Sequence, residues 1–462
     1  MRVTISNSIL IENPSVELIQ WCKGNLVLDN PEYLKKQRMG FWTGNVSKRL
    51  ALYEHRGDSL ILPFGTLREI LPIICDGQIT TDFKDAREID YKCDVSLYDY
   101  QKIAVDALVE AHYGILQSRA ASGKTQMGIA LVGKLGRKTL WLTHTKDLLK
   151  QSMDRAKAYI DNSLIGTITE GKVNIGRGIT FATVQTMCKL DLAQYLHEWD
   201  VIIVDEVHRV CGSPTAMSMF YKVLNSLSAR HKYGLSATVH RADGLIKATY
   251  ALVGGIVYTV PDEAIGDRIM PVSILPVYTG IQLGRECLNT DGTLAYGKLI
   301  NYLCEHALRN RIIVANIVEN APFSSLILSD RLEHLRSLMA MLPDSLRKQA
   351  VMVDGTMTSK KAKAEREKAL EDMRNGKKRF LFATFALAKE GLDLPILERL
   401  YLTTPQTDYA VVTQSTGRIA RTAEDKDEPI AYDYVDDMRF AERAFKKRCT
   451  IYKKNGYTII EP

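Results

Sequence analysis

Four short motifs in the chain carry residue types suited to phosphate chemistry. A lysine follows a glycine in ASGKT at 121–125, and two adjacent carboxylates occur in VDEVH at 204–208. A lysine at a glycine-rich turn can hold β- and γ-phosphates, and carboxylates after an apolar run can hold Mg²⁺ and align a water molecule. SAT at 236–238 and QSTGRIAR at 414–421 follow. The series predicts one nucleotide site whose parts come from two halves of the sequence.

The first two motifs contain residues with distinct expected roles. The loop residues expected to contact the nucleotide are Ser122, Gly123, Lys124 and Thr125. Thr125 and Asp205 are the expected Mg²⁺ ligands, and Glu206 is expected to orient or deprotonate the attacking water. We therefore predict that Lys124, Asp205 and Glu206 are catalytic. Glycine is usual at position 118 of such a loop, and Ser118 is tolerated there if its backbone needs no positive φ.

Further polar residues could complete this site and transmit its state. An imidazole at His208 could link the carboxylates to Ser236 or Thr238, although a lone histidine is usually structural. Three- and four-residue spacings put Gln414, Arg418 and Arg421 on one predicted helical face. The two arginines could reach the γ-phosphate when the two halves close, so we predict that they are catalytic. The residues expected to couple nucleotide state to movement are His208, Ser236, Thr238 and Gln414.

A glutamine upstream of the phosphate loop is the predicted base contact. Gln101 lies in LYDYQKIAVDAL at 97–108, and its amide offers a donor and an acceptor that match an adenine edge. The alternative is that Gln101 caps the helix that begins there.

Length and composition indicate several domains and a mild basic excess. The 462 residues suggest about three domains at ~150 residues each. The formal net charge of +7 is compatible with a nucleic-acid partner but is common among proteins. The eight cysteines form no CxxC, which predicts reduced thiols. No apolar run approaches the ~20 residues that span a bilayer, so we expect no membrane partner and a cytoplasmic location.

Short β-branched runs alternate with helical patterns in two stretches of the chain. They indicate buried parallel strands that end at the motifs, where open α/β sheets bind ligands. The expected domains are a small α+β or β-rich domain at 1–90, a doubly wound α/β domain with the nucleotide site at 95–265, a connector rich in proline and glycine at 266–310, and a second doubly wound α/β domain at 311–462.

Basic and aromatic residues alternate within the first domain. Between positions 33 and 56 there are six lysines and arginines and a single acidic residue, Glu54. Such residues neutralise phosphates and stack on bases. The residues expected to bind nucleic acid here are Lys35, Lys36, Arg38, Phe41, Trp42, Lys48 and Arg49. Alternatively, Phe41 and Trp42 supply the core of the small domain.

Together the motifs resemble those of superfamily 2 helicases of the DExH kind, over residues 97–421. LTHTKDLLKQ at 142–151 resembles motif Ia, and ATFALAKEGLDLP at 383–395 resembles motif V. Within that superfamily, MGFWTGNVSKRLALY at 39–53 and the segment at 236–260 are similar to bacteriophage branch-migration helicases of the UvsW-like group. The small leading domain would then recognise duplex or branched DNA.

The resemblance implies two tandem RecA-like domains, with ATP and Mg²⁺ at their interface and nucleic acid running across both. It also implies that Gly391 and Asp393 contact the nucleotide and couple it to nucleic acid. The residues that it implies as backbone contacts of nucleic acid are Thr145, Thr183, Gln185, Ser329 and Thr384. Serine and threonine at strand ends can equally be helix caps.

We therefore expect an ATP-dependent DNA helicase or translocase that remodels branched DNA, located in the host cytoplasm if phage-encoded. The alternatives are a duplex translocase that frees no strand, an RNA helicase, and a DNA-binding module whose nucleotide site no longer hydrolyses ATP. The basic stretch from Arg439 to Lys454 could add a duplex contact or could be a solvated last helix.

Overall fold

The computed structural model describes residues 1–84, 88–239, 241, 243–266, 269–353, 360–389, 394–423 and 426–461. The chain divides into two compact units. Unit 1 comprises Met1–Arg119 and Gly123–Ala264, and unit 2 comprises Ala120–Ser122 and Ile265–Pro462. Among the helices of these described ranges, none has the length and apolar content needed to cross a membrane.

Unit 1 begins with a small domain whose main sheet is mostly antiparallel. Its elements are β1 (Arg2–Ile5), β2 (Ser8–Glu12), α1 (Val16–Asn25), β3 (Val27–Asp29), α2 (Pro31–Arg38), β4 (Arg49–Ala51), β5 (Glu54–Arg56), β6 (Ser59–Pro63), α3 (Leu67–Ile74) and β7 (Gln78–Thr81). The sheet order is β5-β6-β2-β1-β7, and β3 pairs with β4 in a separate ribbon. Alternate residues such as Val3 and Ile9 are fully buried, as a sheet with one covered face requires.

The rest of unit 1 is a parallel α/β domain. Its elements are α4 (Asp99–Ala111), β8 (Gly114–Gln117), α5 (Lys124–Leu135), β9 (Thr139–Thr143), α6 (Lys146–Lys157), β10 (Ile165–Thr169), β11 (Lys172–Asn174), β12 (Ile179–Thr183), α7 (Val184–Met187), β13 (Val201–Asp205), α8 (Met219–Leu224), β14 (His231–Ser236), α9 (Ile246–Val253), β15 (Ile256–Thr259) and α10 (Asp262–Ile265). The sheet order is β11-β10-β12-β9-β13-β14-β8-β15, and every pairing is parallel except that of β10 with β11. The apolar runs of β9, β12 and β13 are buried on both faces, as expected for a covered parallel sheet.

The small domain packs directly on this α/β domain. The rings of Phe64 and Tyr113 meet edge to face, with centroids 5.2 Å apart. The backbone at Gly65 approaches α9 so closely that a Cβ there would lie 2.2 Å from the carbonyl oxygen of Tyr250. Because only a glycine fits at this contact, the two domains are held together by close backbone packing as well as by side chains.

A buried lysine lies at the same junction. Lys232 of β14 is 1% exposed, and its Nζ donates to the carbonyl oxygens of Leu224 (2.9 Å) and Asn7 (3.2 Å). It also lies 4.7 Å from the centre of the Phe64 ring. Two carbonyls and a π face partly replace the water that the ammonium loses on burial.

Unit 2 is a second parallel α/β domain. Its elements are β16 (Ser273–Gln282), α11 (Tyr296–Glu305), α12 (Ala307–Glu319), β17 (Ser325–Ser329), α13 (Leu332–Ala340), α14 (Asp344–Arg347), β18 (Ala350–Val353), α15 (Lys360–Arg374), β19 (Phe380–Thr384), α16 (Phe385–Lys389), β20 (Arg399–Leu402), α17 (Tyr409–Ile419), β21 (Ile430–Asp437), α18 (Arg439–Lys454) and β22 (Thr458–Ile459). The sheet order is β18-β19-β17-β20-β21-β16-β22, with parallel pairing throughout.

Residues 266–310, which we expected to be a connector, contribute to the sheet and helices of unit 2. β16 pairs in parallel with β21 from Ser273 to Tyr278, and its register shifts between Tyr278 and Gln282. Gly280 lies within that shift at φ +68°, so one of the glycines that suggested a linker forms a bulge instead. The described part of this segment therefore contains a strand with one irregularity at Gly280, and the bounds of the predicted connector stay a prediction.

The predicted fold class is confirmed: two doubly wound parallel α/β domains of the RecA-like kind follow a small α+β domain.

Candidate functional site

Three adjacent strands of unit 1 bring three motifs to one edge of the sheet. β13, β14 and β8 are neighbours, and their registers align Asp205 with Leu235 and Ser236 with Gln117. The phosphate loop, the paired carboxylates and the SAT segment follow the carboxyl ends of these strands. The predicted grouping of the motifs at one sheet edge is therefore present in the fold.

The phosphate loop owes its shape to glycine and to small residues. Gly123 precedes α5 at φ +83°, and a Cβ there would lie 2.4 Å from Nε2 of Gln101. Ala121 also has a positive φ, of 68°, whereas Ser118 is not among the residues with positive φ. Ser118 N–H donates to the carbonyl of Ser236 at 3.0 Å, which extends the pairing of β8 with β14. Because its backbone needs no positive φ, Ser118 is tolerated at a position where glycine is usual.

The lysine and threonine of the loop begin helix α5. Lys124 Nζ donates to the carbonyl oxygens of Ser118 (3.1 Å) and Arg119 (3.0 Å). Thr125 follows as the second residue of the helix and is half-buried. The amino terminus of this 12-residue helix therefore combines the backbone N–H groups of a helix start with an ammonium, the combination that binds phosphates.

Gln101 lies beside the phosphate loop, and its amide oxygen is engaged in a helix cap. The side chain is 2% exposed, and its Oε1 accepts from the N–H of Tyr98 at 3.0 Å. Its Nε2 lies 3.4 Å from the hydroxyl of Tyr100 and beside Gly123. The amide thus closes the start of α4 and buttresses the phosphate loop, and its contact with adenine stays a prediction.

The Asp205 carboxylate is buried at the end of β13. It accepts hydrogen bonds from the hydroxyl of Ser152 (3.3 Å) and from the N–H of Glu206 (3.0 Å). Burial, followed by the negative charge of Glu206, raises the pKa of Asp205 to about 7, although Lys124 opposes the rise. A nearby cation would stabilise the ionised form of this buried carboxylate, as Mg²⁺ does when a carboxylate binds it.

Glu206 has a strained backbone and a charged environment. Its φ of 54° and ψ of 51° are left-handed, which is costly for a residue with a Cβ and is concentrated at functional sites in proteins. Burial raises the pKa of Glu206, but the hydrogen bond and charge of His208 and the charge of Lys124 outweigh it, so the net pKa is lowered. Glu206 is therefore ionised at neutral pH, the form that can accept a hydrogen bond or a proton from water.

A short polar chain joins Glu206 to the SAT segment. His208 Nδ1 lies 3.2 Å from Glu206 Oε2 and 3.0 Å from Ser236 Oγ. Ser236 Oγ in turn donates to the carbonyl of Thr238 at 2.7 Å. The structure thus brings together the three residues expected to link the carboxylates to the neighbouring loop, and their coupling role stays a prediction.

The residues of this edge fit a magnesium nucleotide. His208 Nε2 and Thr238 Oγ1 are buried and have no hydrogen-bond partner among the described residues. The described ranges contain no group of three His, Cys, Asp or Glu side chains that could hold a metal. Mg²⁺ needs no such cage, because it binds one or two carboxylates and takes its remaining ligands from phosphates and water. Thr125 and Asp205 would hold it, beside phosphates bound by the loop and Lys124.

Two further strand ends carry the predicted nucleic-acid contacts of unit 1. β9 and β12 pair with Thr143 opposite Thr183. Thr145 caps α6 by accepting from the N–H of Leu148 at 3.3 Å, and Gln185 Nε2 donates to the carbonyl of His144 at 2.6 Å. The three predicted residues thus lie together, and the side chain of each makes a local hydrogen bond. Thr183 is 3% exposed and donates to Thr186, so any contact it makes would be through the backbone.

Two of the candidate residues of unit 2 also lie at strand ends. Ser329 and Thr384 are opposite each other in β17 and β19. Ser329 is fully buried, with its hydroxyl 2.9 Å from His334 Nδ1, so its side chain has a structural partner.

The last motif forms helix α17 and the residues after it. Gln414 is 7% exposed, and its Oε1 has no hydrogen-bond partner among the described residues. Arg418 Nε donates to the carbonyl of Ala388 at 3.0 Å. The backbone of Arg421 pairs with that of Ile269 in an isolated antiparallel β-bridge. Gly391 and Asp393 lie outside the described residues. The reach of Arg418 and Arg421 to a nucleotide therefore stays a prediction.

The predicted aromatic residues of the small domain are on its surface. Phe41 is 63% and Trp42 is 74% exposed, so neither belongs to the core. Helix α2, which carries Lys35, Lys36 and Arg38, has no buried residue, and Lys48 and Arg49 are exposed. Only Lys36 of these forms an ion pair in the described part of the chain, with Glu32 at 3.0 Å.

Two residues of structural importance were missed by the sequence analysis. Ser152 donates to the Asp205 carboxylate from the middle of α6. The Asn30 amide donates to the carbonyl of Ser47 and accepts from the N–H of Glu32, so it joins the two ends of the segment that carries Phe41 and Trp42. A serine inside a helix is an unfavourable choice unless its hydroxyl has a partner, and that signal could have identified Ser152.

Two family descriptions match the chain and together span more than half of it. That of the type III restriction enzyme, res subunit, matches residues 94–241, and that of the helicase conserved C-terminal domain matches residues 305–423. They cover the phosphate loop, the paired carboxylates and the helix that carries Arg418.

Individual relatives are identical to this chain at about a quarter of the aligned residues. A protein of Acanthamoeba polyphaga mimivirus, provisionally named ATP-dependent RNA helicase L396, is 26% identical over 79% of this chain and 69% of its own length. The DNA 3'-5' translocase XPB2 of Sulfurisphaera tokodaii is 26% identical over 65% of this chain and 73% of its own length. The crystal structure of T4 UvsW aligns with 100% of this chain and 99% of its own, at 15% identity and a TM-score of 0.42.

Proposed function

The chain belongs to the superfamily 2 helicases and is an ATP-hydrolysing, nucleic-acid-dependent enzyme, and we propose that its substrate is branched DNA. In this proposal it remodels forks, four-way junctions or displaced-strand loops. The observation that carries the proposal is an exposed pair of aromatic residues, Phe41 and Trp42, on a basic projection of the small domain.

Residues 30–48 form this projection, which we call the finger. It leaves and rejoins the domain through the β3–β4 ribbon. Its base is closed by Asn30, whose N–H donates to the carbonyl of Lys48 at 3.0 Å and whose Nδ2 donates to that of Ser47 at 2.9 Å. At its tip, a Cβ on Gly44 would lie 2.3 Å from Cζ2 of Trp42, so the indole lies against a glycine backbone. The finger therefore presents its indole from a fixed base.

The chemistry of the finger favours unpaired or unstacked bases next to a phosphate backbone. Four cations, namely Lys35, Lys36, Arg38 and Lys48, accompany a single acidic residue, Glu32. Cations bind phosphates of any nucleic acid, but exposed aromatic rings gain stacking only where a base is accessible. A junction offers both a duplex backbone and exposed bases, which supports branched DNA over uninterrupted duplex.

The attachment of the finger supports a role in the motor itself. Its domain is fixed to the α/β domain of unit 1 by Phe64, Gly65 and Lys232. A branch held by the finger would therefore keep a constant position relative to the phosphate loop. We infer that the finger holds the branch point while the motor moves the DNA.

The proposed chemistry at the nucleotide site assigns one task to each group. ATP supplies the phosphoanhydride whose cleavage releases the energy for movement. Lys124 and the N–H groups at the start of α5 would hold the phosphates, and Asp205 with Thr125 would hold Mg²⁺, which would neutralise phosphate charge. Glu206 orients the attacking water and accepts its proton, and Arg418 and Arg421 are the proposed sensors of the γ-phosphate.

A substrate comparison with the finger altered tests this proposal. ATP-driven strand displacement would be measured on a fork, a four-way junction, a linear duplex and an RNA duplex. We expect wild type to prefer the branched DNAs, and Phe41→Ala/Trp42→Ala to lose that preference by about tenfold or more, since stacking contributes ~1–3 kcal/mol per base. Val16→Ala is the matched control, because Val16 is an apolar residue of the same domain that is 71% exposed. An unchanged preference in the double variant would contradict the role of the finger.

A second candidate is a duplex translocase that frees no strand. The name of the Sulfurisphaera relative, a DNA 3'-5' translocase, favours this activity. DNA-stimulated ATP hydrolysis without displacement from any branched substrate would support it. The mimivirus relative carries the name of an RNA helicase, and a preference for the RNA duplex in the same comparison would support that activity.

A further inference from the structure

The outer face of the last helix, α18, is a continuous basic surface. Six exposed cations lie on this helix: Arg439, Arg443, Lys446, Lys447, Lys453 and Lys454. At 100° per residue they fall within an arc of about 120°, because their spacings are three, four and seven residues. The buried residues of the helix lie on the opposite side, and they are Ala441, Ala444, Arg448, Ile451 and Tyr452.

This face carries no charge pairing of the kind found on several other helices of the described residues. On those helices a lysine or arginine pairs with an acidic residue three or four positions away, as in Lys36 with Glu32, Lys102 with Asp99 and Arg336 with Glu333. None of the six cations of α18 forms an ion pair within the described residues, and the helix has one acidic residue, Glu442. Lys454 has an aromatic partner, because its Nζ lies 5.1 Å from the centre of the Tyr409 ring. A face that served only solubility would gain from mixed charges, whereas this one accumulates a single sign.

The helix is fixed rigidly to the sheet of unit 2. Arg448 is 1% exposed and donates to both oxygens of Asp433, from Nε at 2.8 Å and from Nη2 at 2.7 Å. The hydroxyl of Tyr452 donates to the same carboxylate at 2.7 Å. The buried carboxylate on β21 thus fixes the rotation of α18 about its axis and keeps the cations on the outside.

We propose that the outer face of α18 binds the phosphate backbone of duplex DNA as a contact site separate from the finger and from the strand ends. The proposal rests on DNA being the substrate. A helix of 16 residues is about 24 Å long, which is enough to follow several successive phosphates along a groove edge. Flexible lysines and arginines without apolar residues between them suit sequence-independent contact with phosphates. In this arrangement unit 2 grips the duplex arm while the small domain holds the branch.

Charge neutralisation with a matched control tests the site. The test variant is Arg443→Gln/Lys446→Gln/Lys447→Gln. The control is Arg311→Gln/Lys348→Gln/Lys377→Gln, which removes the same charge from exposed positions of the same unit, two of them before the amino ends of β18 and β19. The affinity of each full-length protein for a blunt linear duplex would be measured from 50 to 300 mM salt, with ATP hydrolysis on single-stranded DNA as the check of an intact motor.

We expect the test variant to bind duplex at least tenfold more weakly at about 0.1 M salt. Its plot of log affinity against log salt should lose about 2–3 units of slope, because each phosphate contact contributes about 0.9. The control variant should match wild type in both measures. Equal affinity and slope in the test variant and the control would overturn the proposal, and so would a loss of affinity without a change of slope. If wild type itself binds no DNA, the proposed function fails first, and that result is distinct from a failure of the α18 site.

Discussion

His208 Nδ1 lies 3.0 Å from Ser236 Oγ and thereby connects the residues after β13 to the end of β14. The same nitrogen lies 3.2 Å from the Glu206 carboxylate, so a change at Glu206 reaches the SAT loop through one ring. Ser236 also receives the N–H of Thr238 at 3.2 Å, which fixes the start of that loop. We expect this chain of contacts to transmit hydrolysis at Glu206 to the SAT segment, and it can be broken at one hydroxyl.

Ser236→Ala should separate ATP hydrolysis from strand displacement. The substitution removes the hydroxyl that joins His208 to the loop but leaves the contact between His208 and Glu206. A buried hydrogen bond lost with its partners left unpaired costs ~1–3 kcal/mol. We expect nucleic-acid-stimulated ATP hydrolysis within about threefold of wild type and strand displacement reduced at least tenfold. Ser163→Ala, at an exposed serine of the same unit, is the control. A parallel fall of both activities would show that the hydroxyl serves catalysis and not coupling.

Gly123→Ala should weaken nucleotide binding. The residue has φ +83°, and the new Cβ would collide with the amide of Gln101. The loop must therefore move away from its phosphate-binding shape, and we expect the affinity for a fluorescent ATP analogue to fall by about tenfold or more. Gly24→Ala is the control, since nothing lies within 4 Å of its added Cβ. An affinity equal to that of wild type would mean that the loop does not bind the phosphates in this conformation.

The sequence predicted the grouping of these motifs at one sheet edge because the geometry of each motif is local. Ser118, Gly123 and Lys124 lie in one strand–loop–helix segment, and Asp205 and Glu206 follow directly from a buried strand. Parallel strands then place such ends at one edge, so chemistry-bearing residues far apart in the chain come together without any detailed knowledge of packing.

Features that depend on packing between distant segments were not predictable in the same way. Lys232 occupies a strand position that gives no sign of a buried ammonium, because its acceptors at Asn7 and Leu224 come from elsewhere in the chain. The sequence could not show whether Phe41 and Trp42 are exposed or buried, because large apolar residues occur both in the core of a small domain and on a binding surface. The segment around Gly280 has a linker composition, yet long-range pairing with β21 makes it a strand.

Lys232→Met should change the pH dependence of unit 1 stability. Burial lowers the pKa of Lys232 to about 7, whereas a lysine in an unfolded chain titrates near 10.4. Between these values the unfolded chain binds more protons than the folded one, so the free energy of unfolding rises with pH. Below about pH 7 both states are protonated and the cost of burying the ammonium is fully present. The variant should therefore exceed wild type in stability at pH 7 and lose on the order of 2 kcal/mol of that advantage by pH 9.

Tryptophan fluorescence in urea can measure this difference in the intact protein. All four tryptophans lie in unit 1, at Trp21, Trp42, Trp141 and Trp199. Lys222→Met, at an exposed lysine of the same unit, should show no such change between pH 7 and pH 9. If the difference in free energy of unfolding between wild type and Lys232→Met stayed constant from pH 7 to pH 9, the Lys232 ammonium would not be the titrating group.

We propose that hydrolysis at Glu206 drives the remodelling of branched DNA. The most direct test compares the rates at which wild type and Glu206→Gln resolve a movable four-way junction with ATP, read by native gel electrophoresis. The glutamine keeps the shape of the side chain but cannot accept a proton from water, and general-base catalysis contributes ~10²–10⁴-fold. We predict that the variant binds the junction with wild-type affinity and resolves it at least 100-fold more slowly. Equal rates in the two proteins, or a wild-type rate that does not depend on ATP, would contradict the account.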